Sequence, residues 1–135
     1  MPEFNTPHPF GDHIGLEFVE KTSGRSRCEV TIGDDHLNPH HVVHGAVLFA
    51  MADTSMGAAL YPTLKDQESC ATIELKINFF RTAAEGTLSC ESTLIHRGRT
   101  VANLESRISA NGTLVASATG TFAIFERRAR GSKTD

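Results

Sequence analysis

Between residues 44 and 60 the chain carries one charged side chain, Asp53, in a stretch otherwise made almost entirely of Gly, Ala, Val, Leu, Phe and Met with a few hydroxyls. Val47, Leu48, Met51, Ala52, Ala58 and Ala59 recur there at helical spacing, which predicts one helix of about four turns over 44–60. A helix that is apolar nearly all round is a buried one, and a carboxylate in such a place is costly unless it is paired or used. Asp53 is therefore read as a general base or a nucleophile, the alternative being a structural carboxylate paired with a hydroxyl or with an arginine such as Arg81. Gly45 stands where the helix begins, and the first N–H groups of a helix have no internal partner and carry partial positive charge. Such an N–H can hold the negative charge that develops on a carbonyl oxygen, and glycine lets a substrate come close to it. A tight entry to the helix or close helix–sheet packing would also require glycine. Asn38, just ahead in the loop, could orient a water or a carbonyl through its amide, although Asn38-Pro39 is an ordinary turn pair as well.

These groups cannot all act within one chain. Asp53 lies nine residues after His44, so it sits about 13 Å further along the helix at ~1.5 Å per residue. Two copies with antiparallel central helices would place Asp53 of one beside Gly45 of the other.

The elements around the helix follow from alternation and turn chemistry. Residues 14–20 and 26–32 alternate between apolar and polar around Thr22-Ser23-Gly24 and read as a hairpin. Residues 33–43 carry no periodicity and form a long loop of the kind that is usually functional or disordered. Beyond Tyr61-Pro62, which ends the helix, four strands are expected at 71–81, 86–97, 101–110 and 114–125, with Asn111-Gly112 as a strong hairpin signal. Read in order they form an antiparallel meander. The plan is α+β, a curved antiparallel sheet wrapped around one long helix. Such a sheet leaves an edge and a partly apolar outer face, so at least a homodimer is expected.

Composition narrows the classes further. The chain has 135 residues, 39% of them hydrophobic and 21% charged, which suits one globular domain over 14–126. An extended, proline-bearing arm is expected over 1–13, and a basic flexible tail over 127–135 with Arg127, Arg128, Arg130 and Lys133. A net charge of -3 calls for neither nucleic acid nor an anionic membrane. No apolar run approaches a bilayer span, Cys28, Cys70 and Cys90 lack metal spacing, and no secretory signal is visible, so a cytoplasmic location is expected. His36, His40, His41 and His44 crowd into nine residues, but no Cys stands among them and Asp34-Asp35 are the only nearby carboxylates, so no metal is assigned. His44 is read as fixing the junction of loop and helix by hydrogen bonding.

Asn38, His44-Gly45 six residues on and Asp53 nine beyond His44 resemble the motif of the hotdog-fold acyl-CoA thioesterases of the phenylacetate-degradation (PaaI-like) type, over nearly the whole chain. The resemblance implies Asp53 as base or nucleophile, Gly45 as oxyanion donor, Asn38 and His44 in support, and Thr72 where the family often carries a Ser or Thr in its site. It implies acyl-CoA as substrate, no cofactor beyond the coenzyme A of that substrate, and assembly as a homodimer or a homotetramer built as a dimer of dimers. The nucleotide phosphates of coenzyme A would meet the turn Arg97-Gly98-Arg99-Thr100, where arginine forks suit phosphate. The sequence departs from the motif at Ala46, where a second glycine is usual, and at His41, where a glycine often stands. A non-catalytic acyl-CoA-binding hotdog protein is the alternative function, against which the retention of Asp53 argues.

Overall fold

A computed structural model describes residues 7–128. Six strands, β1 (Leu16–Thr22), β2 (Arg25–Thr31), β3 (Glu68–Phe79), β4 (Thr87–Arg97), β5 (Val101–Ala110) and β6 (Thr113–Glu126), form one antiparallel sheet in the order β1-β2-β4-β5-β6-β3. The sheet wraps the helix α2 (Gly45–Leu60), which packs mainly on β2, β4 and β5. Met51, Ala52, Met56, Ala59 and Leu60 are fully buried beneath it, and a Cβ at Gly120 of β6 would come within 2.5 Å of the Met56 sulfur, so glycine there lets the helix approach the sheet closely.

The interior of the sheet carries a row of small polar residues. Ser26, Ser92 and Ser106 face one another across β2, β4 and β5. Ser26 shares a 2.6 Å hydrogen bond with Ser55 of α2, and Ser92 shares one of 2.6 Å with Ser106. No buried side-chain nitrogen or oxygen among the described residues lacks a partner, so this polar row is fully satisfied. Beside it Cys28 and Cys90 face each other, both buried and both free thiols.

Three expectations are modified. The meander holds for β4, β5 and β6, but β3 lies outside β6 at the sheet edge and pairs with it from Glu68↔Glu126 to Phe79↔Ala116. Alternation identifies a strand without identifying its neighbour, and here the connection 80–86 carries the chain from that edge back to β4. The arm is not extended throughout, because Pro9–His13 is a single helical turn, α1. Pro9 opens it at the position where a missing N–H costs nothing, and the His8 ring accepts a hydrogen bond from Gly11 N–H at 2.7 Å. Residues 1–6 of the arm and 129–135 of the tail lie outside the described residues. Finally, α2 begins at Gly45, with His44 as its cap.

Candidate active site

The loop ahead of α2 is built from its own polar side chains. The His36 ring accepts from Gly33 N–H at 2.9 Å through Nδ1, which leaves Nε2 to donate to Ile14 O at 2.7 Å and so ties the loop to the start of β1. Asn38 Oδ1 accepts from His40 N–H at 2.9 Å and from Val42 N–H at 3.5 Å, while Asn38 N–H donates to Val42 O at 2.8 Å. The amide oxygen of Asn38 is thus engaged in the turn, and its NH2 group is what remains for a ligand. His41 closes the turn at φ 62°, in the left-handed region, which accounts for the glycine often found at this place in the motif. Val43 N–H donates to Ala83 O at 2.8 Å and pins the end of the loop to the connection after β3.

His44 then caps the helix. Its Nδ1 accepts from Ala46 N–H at 2.8 Å, and its carbonyl takes Val47 N–H at 2.9 Å. Gly45 N–H donates to no group among the described residues. Glycine at this position also serves packing, since a Cβ there would meet the Phe79 ring at 3.0 Å. With His36 and His44 committed to the loop and His40 and His41 exposed, no three metal-binding side chains converge among the described residues.

Two turns further along, in the middle of the helix, Thr72 Oγ1 donates to Asp53 Oδ1 at 2.6 Å, which brings together two of the expected residues. Thr72 faces α2 because its partner across β6 is Phe122, whose ring is in the core. Cys70, two residues earlier on the same face, is an addition to the site. Burial pushes its thiol above the ordinary value and the nearby Asp53 pushes the same way, so Cys70 stays protonated. Its proximity was readable only from the alternation of β3, which a bulge between Thr72 and Glu74 then interrupts. Arg81, the other conceivable partner of Asp53, forms no ion pair with it.

Gly45, Phe49 and Asp53 are spaced by four and lie along one stripe of α2. That stripe is not covered by the sheet: Phe49 is 41% exposed, and Gly45 and Asp53 are partly exposed. Along β3 the two ends are marked again, with Phe79 on Gly45 and Thr72 on Asp53. An open groove of about 590 Å³ is lined by Arg81, Ala83, Glu85, Asn111 and Thr113 among others, and by neither Gly45 nor Asp53. The turn 97–100 lies at the Asp53 end of the sheet. Arg97 is committed there, with Nη2 on Glu68 Oε1 at 2.6 Å and on Thr63 O at 3.3 Å, and Nη1 on Gly98 O at 2.9 Å. A Cβ at Gly98 would meet Val101 O at 2.7 Å, so that glycine makes the turn, while Arg99 and Thr100 are exposed.

A curved antiparallel sheet around a single helix, with an acid in mid-helix and a free N–H at its start, defines a hotdog-fold protein. The model of the thioesterase superfamily matches residues 40–117, and the chain belongs to that family, as an enzyme of the thioesterase and esterase kind. A protein of Saccharolobus solfataricus, whose name gives esterase as a provisional activity, is 30% identical over 83% of this chain and 75% of its own. Among solved structures, a phenylacetic acid degradation-related protein from Ralstonia eutropha is similar at 33% identity and TM-score 0.81, over 87% of this chain and 92% of that one. The phenylacetic acid degradation protein PaaI from Thermus thermophilus shares the fold at 24% identity and TM-score 0.80, over 86% of this chain and 98% of that one. No helix among the described residues is long and apolar enough to cross a membrane.

Proposed function

We propose that this protein hydrolyses acyl-CoA thioesters to the free acid and coenzyme A, in sites shared between two copies of the chain. The observation that carries the reading is the placement of Asp53, held by Thr72 at 2.6 Å on the same uncovered stripe of α2 as the unpartnered Gly45 N–H. Asp53 takes a proton from a water that attacks the carbonyl carbon and passes it on to the leaving thiolate, or attacks that carbon itself. In the second case water then hydrolyses the acyl–Asp53 anhydride to the free acid and supplies the thiol proton. The carbonyl oxygen gathers negative charge against Gly45 N–H of the other copy, and collapse breaks the C–S bond and releases the thiol of coenzyme A. Asn38 offers its NH2 group towards the same carbonyl or water, and the exposed Arg99 and Thr100 receive the phosphates of coenzyme A in a turn shaped by Arg97 and Gly98.

The stripe itself supports the shared site. A two-fold axis that sets Gly45 against the partner's Asp53 falls at Phe49, midway between them, so that the two Phe49 rings meet and lose their exposure. The same axis brings Phe79, which rests on Gly45, towards the partner's Thr72, which rests on the partner's Asp53. The edge strands β3 then run antiparallel about Leu75 and Lys76 and cover each other's unpaired N–H and C=O groups.

The test is release of free thiol from a panel of acyl-CoAs by the wild-type chain and by Asp53→Asn. A loss in kcat of about 10²–10⁴-fold with folding intact is expected. Unchanged turnover in Asp53→Asn would remove Asp53 from the mechanism. Thiol release from none of the panel by the wild type, with binding retained, would favour the non-catalytic acyl-CoA-binding protein.

A further inference from the structure

Phe79 is the last residue of β3, and its neighbour across β6 is Ala116, which is fully buried, so the Phe79 ring stands on the helix side of the sheet. An aromatic ring on that side belongs in the core, yet Phe79 is 53% exposed. Three of its ring carbons lie 3.0, 3.2 and 3.6 Å from the point where a Cβ of Gly45 would stand, so the ring fills that space and presents its free half beside the helix start.

We infer that Phe79 determines which acyl groups this site accepts, by forming the wall against which the carbons next to the thioester carbonyl lie. The inference rests on Gly45 N–H as the oxyanion donor. A carbonyl oxygen about 2.9 Å from that nitrogen leaves the acyl α-carbon within van der Waals reach of the residue's open side, and the Phe79 ring already occupies the room that a single methyl at Gly45 would need. An α-carbon that is unbranched or planar lies flat along the ring. An α-carbon bearing two or three methyl groups meets it edge-on, and interiors and pockets packed at this density do not absorb an added methyl without displacement. The accepted class is therefore acyl thioesters unbranched or planar at the α-carbon.

The experiment compares n-butyryl-, isobutyryl- and pivaloyl-CoA as substrates of the wild type, Phe79→Leu, Phe79→Ala and Phe80→Ala, with oligomeric state and circular dichroism checked for each. In parallel, binding of the corresponding thioether analogues, which cannot be hydrolysed, is measured by calorimetry. The wild type is expected to prefer butyryl over pivaloyl by at least about 10-fold, the size of a one- to two-methyl discrimination in an apolar site. Phe79→Ala narrows that ratio to near unity, Phe79→Leu falls between, and Phe80→Ala, an equally exposed ring one residue on, leaves it as in the wild type. Equal losses on all three substrates in Phe79→Ala, or the same narrowing in Phe80→Ala, would overturn the inference, because the ring would then only support the strand end. If the wild type hydrolyses none of the three, the hydrolytic reading fails alone provided the thioethers still bind with a ratio that depends on Phe79. A ratio indifferent to Phe79, or no binding, overturns the inference as well.

Discussion

The Thr72 hydroxyl holds one oxygen of Asp53 and leaves the other open, so its removal should cost activity without unfolding an exposed edge strand. A hydrogen bond to a charged group is worth about 1.5–3 kcal/mol, so Thr72→Val should lower kcat about 10- to 100-fold, while Thr72→Ser, which keeps the hydroxyl, should stay within a few-fold of the wild type. Steady-state kinetics on one good acyl-CoA decides between them, and equal activity of the valine and serine variants would detach Thr72 from Asp53 in function. His41 presents the opposite case, a residue whose backbone is strained and whose ring forms none of the hydrogen bonds described. At φ 62° a β-carbon costs roughly 1 kcal/mol that glycine does not incur, so His41→Gly should raise Tm by a few degrees with the loop unchanged. Thermal unfolding followed by circular dichroism would show it, and a lowered Tm would mean that the imidazole contributes more than the strain removes.

At the scale of elements, α2 was legible in the sequence almost to the residue, because a long apolar run with one acid admits little but a buried helix, and the cap at His44 only moved its first residue to Gly45. The hairpin at Asn111-Gly112 was equally plain: both residues have positive φ, 52° and 86°, as a two-residue turn of that type demands. The place of β3 was not legible, since its alternation is the same whichever strand it joins, and neither was Phe79 on Gly45, which depends on that placement. Nor could spacing show that Arg97 is spent on Glu68, a contact between the turn and the start of an edge strand. That contact carries a pH dependence. The Lys65 N–H and then Arg97 hold the Glu68 carboxyl below its ordinary value, so its contribution to stability is complete above the unfolded value of 4.5 and is lost as pH falls through the depressed folded value. Glu68→Gln should therefore be less stable than the wild type at pH 7 by a margin that narrows below pH 4.5, as urea titrations across that range would measure. Where helix meets sheet, Gly120→Ala would drive a methyl group to 2.5 Å from the Met56 sulfur, and overpacking of this kind should destabilise by about 1–3 kcal/mol.

For the whole molecule the decisive property is that the two halves of the proposed site sit half a helix apart, Gly45 at the start of α2 and Asp53 in its middle. Gly45 and Asp53 are eight residues apart, about 12 Å along α2, and an oxyanion donor and a base that serve one carbonyl must lie within a few ångströms of it. On the proposed reading a single chain therefore has both groups and no site, whereas a two-fold dimer would have two sites, each with Asp53 from one copy and Gly45 from the other. Two inactive variants should consequently repair each other. Asp53→Asn removes the base, and Gly45→Val closes the approach to the helix N–H, so each homodimer alone should be nearly inactive. Mixed at equal amounts and allowed to exchange, half of the dimers should be hybrids, and each hybrid should have one site with both groups intact and one with neither. Activity should then rise to about a quarter of that of the wild type at the same total concentration, the limit set by random pairing of two copies in a two-fold dimer. A mixture that stays as inactive as its components, after exchange has been verified by native mass spectrometry of differently tagged chains, would require both groups to act within one chain, and α2 would have to bend or unwind between them for that to happen.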